Sequence, residues 1–269
     1  MLRDLTIGQY VPGNSAVHNL DARTKILSAF AFIIMVFLTQ SYIGYGWMAA
    51  GLMIVVAVSG IPVRYILKGI KPLWLIILIT VVINLFFNPE GATLVSWWKI
   101  TITEGGLRMA VFMAARLILL ITGTSLLTLT TSPISLTDGL ESLMAPLKAI
   151  KFPAHELAMM MTIALRFIPT LLEETERIMK AQKARGADFE SGRLMQRAKA
   201  LVPLLVPLFV GAFRRADELA LAMEARCYRG GEGRTRMKQL RFARRDLYAA
   251  LLLLGWFGIA IVESYWLWA

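Results

Sequence analysis

The sequence predicts an all-α integral membrane protein with about five transmembrane helices and long cytoplasmic or interfacial helices. Its 269 residues are 57% hydrophobic and only 17% charged, whereas a soluble domain is about one-quarter charged and less than half apolar. Five apolar blocks approach the ~20 residues that a helix needs to cross a bilayer. Between the fourth and fifth blocks, residues 131–246 hold 20 of the 29 lysines and arginines.

The first two predicted regions are a polar amino-terminal segment, 1–24, and a four-helix transmembrane region, 25–130. Because the amino-terminal segment is polar, we expect no cleavable signal peptide. Apolar periodicity and length then predict four spans, at about 26–43, 45–62, 73–87 and 107–130.

Charge in the short loops predicts the orientation of these spans. The loop 60–72 carries Arg64, Lys68 and Lys71 and no acid, whereas the loop 40–46 has no charge. Cytoplasmic loops are enriched in lysine and arginine. We therefore expect the amino terminus and residues 131–246 in the cytoplasm, the last span in 247–269, and the carboxyl terminus outside a prokaryotic cell membrane.

One arginine lies inside a predicted span. Arg116 is about two turns into the fourth block, where a charge facing lipid is costly. We expect its side chain to face protein or to extend to the interface as a structural anchor.

The cytoplasmic region 131–246 predicts three helices. The first covers about 134–150 and is interrupted by Pro146. The second covers 155–185, with Pro169 inside it, and the third about 192–226. Each of the two longer helices has an apolar part followed by a charged end, which predicts contact with the membrane or a partner along one part only.

The second and third helices repeat at a constant offset in the sequence. This offset aligns Glu176 with Asp217 and Ala184–Arg185 with Ala225–Arg226, so each arm ends in Ala-Arg followed by a turn. An arginine in the last helical turn is favoured by the helix dipole, and its guanidinium can donate several hydrogen bonds into a cleft. A solvated basic helix end is the simpler interpretation of either arm alone, but two matched arms favour ends that dock in a partner.

The candidate docking residues are the two ends and the acids that precede them. A glycine after the first arginine suits a left-handed helix cap. Small alanines before each arginine would let the end enter a narrow groove. The complete set is Ala184, Arg185, Gly186, Ala225, Arg226 and Cys227, with Glu176, Asp217 and Glu218 in support.

The sequence shows no catalytic motif. A net charge of +11 is compatible with nucleic-acid binding, but the basic residues lie between apolar blocks and indicate a membrane protein instead. There is no GxxxxGK[ST], HExxH or GxSxG pattern, and the two histidines, His18 and His155, lie far apart in the sequence. We therefore expect neither an enzyme nor a bound metal or cofactor.

The motifs resemble those of energy-coupling factor transporter T components, the EcfT or CbiQ-like family. The resemblance rests on 8–15 (GQYVPGNS) and 18–25 (HNLDARTK) and continues through 127–141, 156–186 and 215–226. The sequence pattern is most similar to the branch of the family in which one T component serves several substrate-binding subunits. The chain departs from the family at Cys227, where a glycine is usual, so we expect a less left-handed cap or one that begins at Gly230.

The resemblance implies a non-catalytic scaffold of an ABC-type importer for vitamins or other micronutrients. In this family the long cytoplasmic helices are coupling helices. Their two arginine ends, here Arg185 and Arg226, sit in grooves of two ABC-type ATPase subunits, and these subunits bind the ATP. Apolar helix faces hold a membrane-embedded substrate-binding S component.

Two other functions are alternatives, and the residues supply little of what either requires. A conventional ABC permease would form its own substrate path, which requires polar side chains near the bilayer midplane, and Asn84 and Arg116 are the main polar residues there. An integral-membrane enzyme would need an acid, base or metal set near the interface.

Overall fold

The computed structural model describes residues 10–88, 91–97, 100–187, 189, 194–230, 240 and 242–266. They fall into two compact units. The bundle unit lies within residues 7–142 and 239–269, and the arm unit lies within residues 143–238.

The bundle unit is built mainly of apolar helices. α1 (Ala22–Leu38), α2 (Tyr42–Ser59), α3 (Val63–Ile70) and α4 (Trp74–Phe87) precede a hairpin of β1 (Thr93–Trp97) and β2 (Ile100–Thr103). They are followed by α5 (Glu104–Thr130), α6 (Pro133–Met144), whose last two residues belong to the arm unit, and α9 (Arg244–Trp266). α5 contacts α1, α2, α3 and α4, and the fully buried Val36, Met48 and Leu129 lie in the core.

The apolar helices confirm the predicted all-α membrane class. Within the described residues, five helices are long and apolar enough to cross a membrane: Tyr42–Ser59, Val63–Phe87, Glu104–Thr130, Ala154–Ala184 and Arg244–Val262. α4 shows why lipid is the expected surroundings: its residues are nearly all apolar, and none of them is buried by the protein. A helix that is apolar on every side belongs in a membrane when protein does not cover it.

Several predicted boundaries were wrong. The first span was predicted over 26–43, but α1 has 17 residues and ends at Leu38. The chain turns there because Thr39 is extended and Ser41 caps α2 by accepting a hydrogen bond from the Ile43 N–H. The predicted loop 60–72 contains α3 and a short 3-10 turn, Lys71–Leu73.

The loop between α4 and α5 also differs from the prediction. It contains the antiparallel hairpin, in which Ser96 pairs with Thr101 and Trp97 with Ile100. Thr103 ends the hairpin and caps α5, since its hydroxyl accepts a hydrogen bond from the Gly106 N–H. The hairpin is a small addition to an otherwise helical fold.

A buried polar cluster joins the ends of three helices in the bundle unit. The Lys25 Nζ donates to the carbonyls of His18 and Thr130, at 2.9 and 3.0 Å. Asp21 caps α1, and its own N–H donates to the Asp246 carboxylate at the start of α9, at 2.8 Å.

Arg116 faces protein, as predicted. Its Nε donates to the Tyr45 hydroxyl at 2.9 Å, and the guanidinium lies 5.4 Å from the centre of the Phe37 ring. The Tyr45 hydroxyl in turn donates to the Val36 carbonyl at 3.3 Å. The charge inside the bundle is thus satisfied by α1 and α2, and Arg116 anchors α5 to them.

The arm unit consists mainly of two long helices. A 3-10 turn, Ala145–Ile150, precedes α7 (Ala154–Ala184) and α8 (Leu194–Ala225). The turn begins at Ala145, before Pro146, which agrees with the predicted interruption. α7 and α8 agree with the predicted helices 155–185 and 192–226 to within two residues at each end.

Candidate functional site

The two arginine ends are formed by local sequence signals at the ends of α7 and α8. In α7, Glu156 lies in the first turn and Lys183 in the last turn, and both charges are favourable to the helix dipole. Pro169 lies inside α7, and Pro203 and Pro207 lie inside α8. Both helices are long, so each carries its arginine far from its own start.

The end of α7 forms a Schellman cap, in which two backbone N–H groups just after the helix donate hydrogen bonds to carbonyls near its end. The Gly186 N–H donates to the Lys183 carbonyl, and the Ala187 N–H donates to the Gln182 carbonyl, both at 3.0 Å. Gly186 has a φ of +86°, the left-handed conformation that glycine adopts without a steric penalty.

The end of α8 forms the same cap at the positions that the sequence repeat makes equivalent. The Cys227 N–H donates to the Glu224 carbonyl at 2.8 Å, and the Tyr228 N–H donates to the Met223 carbonyl at 3.0 Å. The repeat seen in the sequence is therefore also a repeat of backbone geometry. Arg185 and Arg226 occupy the same position in their caps.

The prediction for the second cap was wrong. We expected a less left-handed cap, or one that begins at Gly230, but Cys227 itself has a φ of +55°. Gly230 is also left-handed, at +86°, and follows further along the chain. Two hydrogen bonds and the helix geometry fix the conformation of Cys227, although a residue with a Cβ atom is disfavoured there by about 1–2 kcal/mol.

All six predicted docking residues are exposed to solvent: Ala184, Arg185, Gly186, Ala225, Arg226 and Cys227. Of the supporting acids, Asp217 and Glu218 are exposed and Glu176 is partly buried. The structure does not bring the two ends together; each is a separate projecting surface.

An ion pair that the sequence analysis missed joins the two arms. The Arg215 Nη2 donates to the Glu174 carboxylate, and both side chains are partly buried. Gly211 makes room for it, because a Cβ atom at this position would lie 3.1 Å from the Glu174 Oε1. Glu174 and Arg215 are 41 residues apart, which is also the offset of the repeat, so the helices meet at equivalent positions. Opposite charges at matched positions were the sequence signal that could have indicated this contact.

The two ends lie at opposite ends of α7. The Tyr228 hydroxyl, just after Arg226, lies 3.2 Å from the His155 Nε2 at the start of α7. Arg185 follows the last residue of α7, which has 31 residues and is about 46 Å long. The arms therefore run in opposite directions, and their arginines lie at separate places on the arm unit.

The described residues contain no cluster of three or more histidine, cysteine, aspartate or glutamate side chains arranged to hold a metal ion. Cys227 is exposed as a free thiol. The chemistry of the site is that of surface arginines on rigid helix ends.

Comparison with known proteins identifies the family. Residues 13–237 match the CbiQ family, described as cobalt transport protein. The chain is 57% identical over 267 residues to the energy-coupling factor transporter transmembrane protein EcfT of Thermosediminibacter oceani. The aligned residues cover 99% of the chain and 100% of the relative. The chain belongs to the CbiQ/EcfT family. It is thus a transmembrane component of an energy-coupling factor transporter.

Other relatives support the same assignment. The EcfT protein of Clostridium kluyveri is 56% identical over 268 residues, 99% of each chain. That of Bacillus subtilis is 50% identical over 246 residues, 91% of the chain and 93% of the relative. The matched region of the family spans α1 to α8 and includes both arginine ends. The resemblance inferred from the motifs is confirmed.

Proposed function

We propose that this chain is the non-catalytic scaffold that transmits the ATP-driven motion of two ABC-type ATPase subunits to a membrane-embedded S component. The transported substrate would be a vitamin or another micronutrient. The observation that carries the proposal is the pair of exposed arginines, Arg185 and Arg226, on helix ends with the same cap. A guanidinium fork on such an end suits a groove lined by carboxylates or backbone carbonyls.

The arrangement of the arms supports transmission of motion. α7 and α8 are continuous helices that meet at the Glu174–Arg215 ion pair, and each arginine lies three turns beyond this contact, roughly 16 Å along its helix. A movement of the ATPase subunits would displace both ends, and the contact would couple the two displacements. ATP would be bound by the ATPase subunits and not by this chain.

An exposed apolar face on α8 supports binding of the S component. Leu201, Leu205, Phe209 and Phe213 are all exposed and recur at every fourth position, so they lie along one side of the helix. Val202, Val206 and Val210 widen this face. A continuous apolar surface of this kind requires lipid or an apolar partner, and a very hydrophobic membrane subunit satisfies this requirement.

The predicted orientation completes the proposal. The charged ends of the arm unit would lie on the cytoplasmic side, where the ATPases have access to ATP, and the apolar part of α7 would lie in or against the membrane. The basic segment 60–72, which alternation of the predicted spans places on the same side, agrees with the positive-inside rule. The carboxyl terminus would lie outside.

Co-purification of the tagged chain from its native membrane tests the proposal. We expect two ATPase subunits and a small hydrophobic subunit to co-purify, and the hydrophobic subunit then identifies the substrate for an uptake assay. Arg185→Glu combined with Arg226→Glu should remove both ATPases and abolish uptake while the hydrophobic subunit stays bound. Arg64→Glu is a matched control, because Arg64 is an exposed arginine on α3, outside the arm unit. Retention of both ATPases by the double variant would refute the proposal.

A further inference from the structure

We infer that the charges beside the two arginines select which ATPase subunit binds each end. The end of α7 fits a groove with an acidic rim, and the end of α8 fits a groove with a neutral or basic rim. This inference rests on the proposed function, because it concerns the choice between partners of the same two ends.

The caps themselves cannot distinguish two partners. Both ends close with the same pair of hydrogen bonds, and both present an arginine after an alanine. The backbone and the guanidinium would therefore enter any suitable groove in the same way. Selection between grooves must come from side chains that differ at matched positions.

Three exposed positions in the last turns differ in charge. Arg177, Lys180 and Lys183 on α7 correspond, at the offset of the repeat, to Glu218, Leu221 and Glu224 on α8, and all six are exposed. From 177 to 185 there are four cations and no acid, whereas from 218 to 226 there are two acids and one cation. The net charge of these turns is thus +4 on the α7 end and −1 on the α8 end, and it is +3 and 0 when the next matched pair, Asp188 and the exposed Arg229, is included.

The negative charge of Glu224 at the end of α8 does not stabilise the helix. A glutamate in the last helical turn is unfavourable to the helix dipole, whereas Lys183 at the matched position of α7 is favourable. A residue that local stability disfavours is more readily explained by what it meets in a partner. Glu224 is exposed and lies just before Ala225 and Arg226, at the rim of any groove that holds this arginine.

The two ends act independently in electrostatic terms. They lie at opposite ends of a helix that is about 46 Å long, whereas salt at physiological strength screens charges beyond about 8 Å. Each end therefore presents its own charge to its own partner. Charge complementarity at an interface mainly sets partner choice and the rate of association, which is the property required to direct each end to its own groove.

Photo-crosslinking in the complete complex tests the inference. A crosslinking amino acid replaces Ala181 or Ala222, which are exposed and occupy matched positions one turn before the arginines. In the wild-type complex we expect each position to crosslink to a different ATPase subunit. The triple exchange Arg177→Glu, Lys180→Leu and Lys183→Glu should reduce crosslinking from Ala181 to its ATPase by about tenfold, since three exposed charge contacts are altered. When Glu218→Arg, Leu221→Lys and Glu224→Lys are added, each end carries the charges of the other. Ala181 and Ala222 should then each crosslink to the ATPase subunit that the other position contacts in the wild type.

Other outcomes separate failure of the inference from failure of the proposed function. If Arg185→Glu and Arg226→Glu remove the ATPases but the exchanges leave the crosslinked partners unchanged, the inference is wrong and the proposed function stands. If one kind of ATPase subunit crosslinks to both positions, the inference is also wrong. If a triple variant does not assemble, Lys183→Glu and Glu224→Lys give the same test with one change each. Added salt should weaken wild-type binding at the α7 end more than at the α8 end, and equal weakening would also overturn the inference.

Discussion

Glu174 and Arg215 form an ion pair between α7 and α8 and are separated in sequence by 41 residues. The same offset relates Arg185 to Arg226 and Gly186 to Cys227. The repeat therefore sets both the distance from the contact to each end and the position at which the arms meet. Under the proposed function, this contact is where a displacement of one end would be passed to the other arm.

Reversal of charge at the contact should disturb the arms in a way that a second reversal restores. Arg215→Glu places a second acid beside Glu174 and should lower the free energy of unfolding by about 1 kcal/mol, since the pair is only partly buried. The double variant Glu174→Arg with Arg215→Glu should recover most of this loss. Thermal unfolding of the purified chain in detergent measures both effects. Equal stability of the single and double variants would show that the two side chains do not interact.

Cys227→Gly should stabilise the end of α8. The change removes the Cβ atom from a residue with a φ of +55°, and the gain should be about 1 kcal/mol because part of the relief is offset by the greater freedom of glycine in the unfolded chain. Hydrogen exchange at the Cys227 and Tyr228 amides would report the gain as slower exchange.

The matched change at the other end, Gly186→Cys, should have the opposite effect. Nothing lies within 4 Å of a Cβ atom built at Gly186, so backbone strain and not a clash would cause the loss. Gly46→Ala is a suitable control, because Gly46 lies inside α2 with equally open space around it. Hydrogen exchange should become faster than in the wild type at the amides of residues 186 and 187 in Gly186→Cys. A larger acceleration at the amides around residue 46 in Gly46→Ala would contradict the explanation.

Removal of the Lys25 amine should destabilise the bundle unit strongly. Lys25→Met leaves the carbonyls of His18 and Thr130 without this donor and removes the positive charge beside Asp21 and Asp246. We expect a loss of about 3 kcal/mol, typical of breaking a buried charged cluster. Thermal unfolding in detergent measures it. Lys68→Met is the control, since Lys68 is an exposed lysine on α3, and a similar loss there would rule out a specific role for burial.

The sequence by itself determined the elements whose signals are local. The length and composition of the apolar blocks predicted a helical membrane protein, and charged last turns with Ala-Arg motifs predicted both ends of the arms to within two residues. Such signals succeed because a helix cap involves only the few residues around it.

Only the tertiary structure decided what depends on distant residues. It gathered Lys25 and Asp21 from the start of α1 and Asp246 from the start of α9 into one buried cluster, and it placed the Tyr45 hydroxyl of α2 against Arg116 of α5. It also paired Glu174 with Arg215 and set the two arginines at opposite ends of α7. These features follow from how helices pack against one another, and packing joins residues that no local pattern connects.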